Sequence, residues 1–278
     1  MIEPVVRYVV DVPVFVFAAT FVLLWLSARL GDFFRQRRPL QEAERQDFGL
    51  VLTACLTLLG LIIGFSFSMA VSRFDQRKTY EEAEANAIGT EYLRADLLPA
   101  ADAARVRELL AKYIEQRVAF YKSRDTRQLE QIRASFTGLQ SELWSTVRAA
   151  SATQPTPVLA LAVSGMNDVL NSEGYTKAAW TNRIPIEAWG LMAAIAVCCN
   201  MLFGYVSHKP TGLLFVVLPL AASISSFLIA DIDSPRGGVI RVPPENLLRL
   251  SQSLNPSRPE AHGATAAPQA LEASEQAR

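Results

Sequence analysis

Gly64-Phe65-Ser66-Phe67-Ser68-Met69-Ala70-Val71-Ser72-Arg73-Phe74-Asp75-Gln76-Arg77 carries an apolar run into a charged helix with no Gly or Pro after its first residue. Upstream, residues 50–71 hold no charged side chain, and these 22 residues would extend about 33 Å at ~1.5 Å per residue, enough for a hydrocarbon core of ~30 Å. Three further segments pass the same test: residues 12–30, with Arg29 near the end, Ile186–Val206, with Glu187 at the start, and residues 211–230. The sequence therefore predicts an all-α integral membrane protein with four transmembrane helices and a helical domain inserted between spans two and three. Residues 12–30 do not read as a signal peptide, because the stronger basic flank follows them and no small-x-small cleavage site precedes Gly31.

Working outward, residues 72–98 contain no Pro and only Gly89, so span two and its extension form one rod of about 49 residues, ~70 Å long, ending at Pro99. A second helix is expected over 102–123, with Val106, Leu109, Leu110, Tyr113, Val118 and Phe120 near helical spacing. A third, over 126–151, places Leu129, Ile132, Phe136, Leu139, Leu143 and Val147 on one stripe. Pro155 and Pro157 then interrupt the chain, and Thr156 is the N-cap of a fourth helix over 158–180. No segment sustains a period of two, so no sheet is expected. The chain thus divides into spans one and two (1–71), a helical soluble domain (72–185), spans three and four (186–231), a juxtamembrane segment (232–254) and a disordered tail (255–278) rich in Pro, Ala, Glu, Ser and Gln.

Charge excludes some functions. The whole chain is neutral, and residues 72–185 hold 15 Lys/Arg against 14 Asp/Glu, which leaves no basic excess for a nucleic-acid partner. Cys55, Cys198 and Cys199 all lie in spans and say nothing about redox compartment. With only His208 and His262, and no phosphate-cradling glycine loop, neither an enzyme nor a cofactor is expected. For orientation, Arg35, Arg37, Arg38 and Arg45 between spans one and two pull one way, together with Lys209. Arg7, Arg73, Arg77, Lys78, Lys177, Arg183, Arg236 and Arg241 pull the other and outnumber them, so the domain and both termini are expected in the cytoplasm of a bacterial inner or plasma membrane.

Along the second span, Gly60, Gly64 and Ser68 recur every four residues and make a nearly bare face that admits a neighbouring backbone. Thr57, Leu61 and Phe65 form the strip beside it, continued by Met69. Both strips could pack on the other three spans, or copies of the helix could gather round an axis where Leu61 and Phe65 make a hydrophobic constriction; spacing leaves both open. Beyond the membrane, Glu84 and Glu91 share one face while Asn86, Thr90 and Arg94 share another. These are either internal polar contacts or the lining of a vestibule. Arg73 and Arg77, one turn apart, read as membrane-interface anchors. Asp231 and Asp233 could contribute to a metal site, although pairing with Arg236 or Arg183, or capping a helix, is the simpler use. Asn200, deep in the third span, is expected to hydrogen-bond another helix.

Leu61-Ile62-Ile63-Gly64-Phe65 followed by Ala70-Val71-Ser72-Arg73-Phe74-Asp75-Gln76-Arg77 resembles the second transmembrane helix of bestrophins, with its Gly-Phe pair, an Ala, and Arg-aromatic-x-x-Arg. The block over residues 84–99 and Asp231-Ile232-Asp233-Ser234-Pro235-Arg236-Gly237-Gly238 are similar to the bestrophin-like family, which has no assigned activity, and that likeness runs over nearly the whole chain short of its tail. Bestrophins themselves are pentameric ion channels with this plan of spans and domain. The resemblance implies a homo-oligomer in a lipid bilayer, small ions as the permeating partners, and Phe65 with Leu61 at the neck. The acidic calcium-clasp segment of animal bestrophins has no counterpart here. The reading that competes with a channel is a membrane-anchored helical scaffold or sensor without a permeation path.

Overall fold

The structure is a computed structural model and describes residues 12–153, 155–207 and 213–254. Its elements are helices α1 (Pro13–Arg37), α2 (Glu42–Arg94), a 3-10 turn (Ala95–Leu97), α3 (Ala100–Lys122), α4 (Thr126–Thr153), α5 (Pro157–Thr181), α6 (Ile186–Val206), α7 (Leu214–Asp233) and α8 (Glu245–Leu254). No strand occurs among the described residues. The expected tail over 255–278, with His262, and the turn holding His208 and Lys209 lie outside the described residues, as does Arg7.

Helix α2 is a single rod of 53 residues, about 80 Å at the standard rise. It starts earlier than the apolar run predicts, because Gln41 and Glu44 form a capping box at its head. It ends where Pro99, the N-cap of α3, forbids continuation. Helices α1, α2, α6 and α7 each contain a window long and apolar enough to cross a membrane. Among them α1 and α6 approach backbone to backbone. A Cβ added at Gly31 would lie 2.0 Å from the Met201 carbonyl oxygen, and one at Gly204 would lie 2.0 Å from that of Ala28. Nearby, the Ser27 hydroxyl donates to the Val197 carbonyl at 2.8 Å. Small residues are the means by which helices approach in lipid, where apolar burial drives nothing.

The charged end of the molecule has an ordinary hydrophobic core. Ile88 of α2, Val106, Leu109, Leu110, Tyr113 and Ile114 of α3, Leu143 and Val147 of α4, Met166 and Val169 of α5 and Leu247 of α8 are at most 1% exposed. The stripe predicted for α4 is the face that α4 buries. Thr156 caps α5 as expected, its hydroxyl accepting from the Leu159 amide at 3.3 Å. Gly89 has a packing reason: α8 crosses it, and a Cβ there would meet Leu250 at 3.2 Å.

Candidate functional site

Helix α2 has two faces with opposite fates. Its most apolar window is only 6% buried, against 50% for that of α7. Leu61 is 54% exposed and Phe65 65%. Thr57 and Ser68 are exposed too, and a Cβ added at Gly60 or Gly64 would meet nothing within 4 Å. The small-residue face and the Thr57-Leu61-Phe65 strip are therefore not packed on α1, α6 or α7 within the chain. At steps of three and four the open surface continues through Ser72, Asp75, Thr79, Glu82, Asn86 and Thr90, all exposed. It is apolar where the helix can lie in lipid and polar beyond. The Thr57 and Thr79 hydroxyls donate to their own helix, at the carbonyls of Thr53 (2.9 Å) and Asp75 (3.0 Å), so neither needs an outside partner.

The opposite face of the extension is inward and acidic. Glu81 receives the Leu247 amide at 3.0 Å and the Asn246 side-chain amide at 2.7 Å, holding the N-terminus of α8 with a carboxylate where the helix dipole favours one. Glu84 is fully buried, receives Arg117 in a two-pronged ion pair, with Nη2 to Oε2 at 2.8 Å, and also takes the Thr176 hydroxyl at 3.1 Å. The Arg117 guanidinium lies over Phe120, Tyr121 and Phe136, at 4.8, 5.6 and 5.4 Å from the ring centres. Burial alone would lower its pKa, but Glu84 more than offsets that and raises it. Glu91 is also fully buried, yet neither carboxylate oxygen has a hydrogen-bond partner. Burial pushes its pKa up to about 8; Arg94 draws it down and Asp168 pushes it further up. Thus Asn86 and Thr90 lie on the open face, Arg94 is half-buried, and Glu84 and Glu91 face the interior of the chain.

The join between the two parts is fastened by Arg77. It is 2% exposed and donates to the carbonyls of Ala179 (3.2 Å), Ile232 (3.2 Å), Asn182 (3.4 Å) and Asp233 (2.9 Å). These carbonyls belong to the ends of α5 and α7, which have no helical partner for their last oxygens and carry the negative end of the dipole. The expected lipid-facing anchor is instead an internal staple, because two helix C-termini converge on it. Burial lowers its pKa to about 10, with Asp233 opposing and Arg183 and Arg73 reinforcing the fall, so it stays cationic at neutral pH. Arg73 is also turned inward, its Nη1 3.9 Å from Asp233 Oδ1.

The same device recurs. Arg236 donates to the carbonyls of Phe120 (2.9 Å) and Ser123 (2.7 Å) at the end of α3 and stacks between Phe120 and Trp180. Arg45 donates to Val206 at the end of α6, at 3.1 Å. Asp231 and Asp233 serve backbone amides. Asp231 accepts from Val239 (2.7 Å) and Ile240 (2.9 Å), and Asp233 accepts from Ile184 at 3.2 and 3.3 Å, just before α6. Among the described residues no group of three or more His, Cys, Asp or Glu side chains could hold a metal ion. The pair is a clasp between segments, which answers the metal reading with a different use of the same oxygens. Asn200 bonds its own helix, at the Ala196 carbonyl (2.8 Å), rather than another.

Sequence reasoning missed the Arg77 and Arg236 staples and the Ser27-Ala28-Gly31 and Gly204 contact. The small residues were a visible signal for the contact. Nothing local marks which arginine meets a distant helix end.

The fold matches solved structures at low identity. A bacterial bestrophin homologue from Klebsiella pneumoniae superposes with a TM-score of 0.62 at 14% identity, covering 87% of this chain and 97% of that one. A point variant of a Klebsiella pneumoniae bestrophin homologue gives 0.60 at 14% identity, covering 88% and 98%, and a structure described as a membrane protein variant gives 0.61 at 14%, covering 86% and 97%. No curated protein matches the chain. A family model, the bestrophin-like domain, matches residues 14–247. With five-sixths of its length accounted for by that model, the chain belongs to the bestrophin-like family.

Proposed function

We propose that the chain is one subunit of an oligomeric membrane channel whose permeation path is lined by the open face of α2. The observation that carries this reading is the continuity of that face. An apolar strip through Thr57, Leu61 and Phe65, left uncovered by the chain's other spans, passes without a break into a polar strip through Asp75, Thr79, Asn86 and Thr90. Copies arranged round an axis would bring the first strips together as a hydrophobic neck that gates by dewetting, and the second as a water-filled vestibule. Gly60 and Gly64, open within the chain, would receive a neighbouring copy. On this reading α1, the first half of α2, α6 and α7 span the bilayer, and α3, α4 and α5 with the α2 extension form a cytoplasmic domain. Resemblance to bestrophins suggests five copies and small ions as the cargo. The Arg77 staple would couple the α2 extension to α5 and α7, so a tilt of the rod would reach both membrane and domain.

The test is ion flux in liposomes reconstituted with purified protein, together with the mass of the detergent-solubilised oligomer. The channel reading expects a particle of four or more copies and a flux that Phe65→Ala increases. A monomer or dimer with no flux, in wild type and variant alike, would leave the scaffold or sensor reading in its place.

A further inference from the structure

At the opposite end of the spans from the helical domain, α1, α6 and the start of α2 frame an open groove of about 330 Å³, within the size range of small ligand sites. Its walls are apolar: Phe34, Phe48, Met201 and Tyr205 line it, with Phe48 and Tyr205 set edge to face at 5.5 Å between ring centres. It exists because Gly31 brings α1 onto the α6 backbone, leaving the larger side chains splayed around the contact. Two exposed guanidiniums, Arg37 and Arg38, also line it.

No salt bridge joins either cation to a carboxylate among the described residues. The nearest carboxylate along the helix, Asp32, is taken by Arg35 (2.7 Å) and Gln36 (2.9 Å). Glu44 accepts from the Gln41 amide at 3.2 Å within its capping box, and Arg45 serves Val206. Glu42 and Asp47, also near this end on α2, do not line the groove. Arg37 instead lies 4.4 Å from the centre of the Phe33 ring.

Position selects the ligand. Helix α1 has 25 residues, about 37 Å at the standard rise, so its last turn lies just beyond a hydrocarbon core of ~30 Å, at the level of lipid headgroups. Two guanidiniums, each with donors suited to phosphate, line the apolar groove there. The geometry points to a binding site for an acidic phospholipid of the surrounding membrane, with its phosphate on Arg37 and Arg38 and an acyl segment between Phe34, Phe48 and Tyr205. The site does not depend on the channel reading.

Native mass spectrometry of the detergent-solubilised protein tests it, using phosphatidylglycerol and phosphatidylcholine with identical acyl chains. At low salt the wild type should retain the glycerol lipid over the choline lipid, by up to about thirtyfold if each arginine contributes the usual interfacial attraction. The preference should fall to near parity in Arg37→Gln/Arg38→Gln, and millimolar inorganic phosphate should not displace the lipid. Equal retention of the two lipids by the wild type, an unchanged preference in the double variant, or displacement by phosphate alone would overturn the proposal. If the double variant does not fold, a parallel dissociation series decides: the wild-type preference should shrink toward parity at about 1 M salt, and its persistence would overturn the proposal.

Discussion

Replacing Glu91 by Gln should make the protein's stability less dependent on pH, and the structure sets the sign and scale. The carboxylate is buried against α5, where a Cβ at Gly165 would lie 2.0 Å from its Oε2, and no hydrogen bond compensates it. Its folded pKa of about 8 stands above the 4.5 of an unperturbed Glu. Between those values the folded chain holds a proton that the unfolded chain has released. The contribution of Glu91 to stability is therefore greatest below about pH 4.5 and is lost between there and pH 8, at up to about 1.4 kcal/mol per pH unit, for a total of about 5 kcal/mol at most. The charged groups facing it, Arg94 from its own helix and Asp168 from α5, act in opposite directions. Glu91→Gln carries no charge at any pH, so its advantage over wild type should widen from pH 5 to pH 8.5. At ~2–4 °C per kcal/mol the gain is up to about 10–20 °C in unfolding midpoint at the alkaline end. Thermal unfolding in detergent at four or five pH values measures it. Parallel midpoint curves for wild type and variant across that range would refute the reasoning.

Arg77→Met leaves four carbonyls at the ends of α5 and α7 without their donor and should cost about 3–5 kcal/mol, read as a lowered midpoint; Arg77→Lys should recover only part of it, since one ammonium cannot reach the same fork of acceptors. Gly204→Leu puts a side chain where a Cβ would already stand 2.0 Å from the Ala28 carbonyl, so α1 should separate from α6, with loss of folded yield measured by size-exclusion profile; an unchanged profile would count against the close crossing. Glu84→Ala and Arg117→Ala should each cost about 3–5 kcal/mol because each strands a buried charge. The double variant should cost less than their sum, and a double-mutant cycle in chemical unfolding reads the coupling.

Helix content and order were legible because the signals are local. The uncharged run over residues 50–71, the Pro99 stop, the Thr156 cap and the Leu129-to-Val147 stripe each report a property of consecutive residues, and α2, α4 and α5 follow them. The candidate site was legible only as alternatives. Periodicity places Glu84 with Glu91 and Asn86 with Thr90, but both sets read as polar faces of one helix. Which set turns inward depends on Arg117, Thr176 and Gly165, which come from helices far away in the chain. Arg73 and Arg77 show the same limit. Arginine beyond a span suits a headgroup or a helix end equally; the convergence of the α5 and α7 C-termini decides for the helix ends at Arg77, and the Asp233 carboxylate draws Arg73 inward.

The sequence by itself determined four apolar spans and a helical domain, because length, lack of charge and turn residues act along the chain; the likeness to the bestrophin-like family rests instead on the motifs around Gly64-Phe65 and Asp231. Only the tertiary structure decided that the Thr57-Leu61-Phe65 strip stays uncovered while the acids beyond it are buried. Exposure depends on which neighbours arrive: α1 and α6 close on one another through Gly31 and Gly204, and the apolar window of α2 is left only 6% buried.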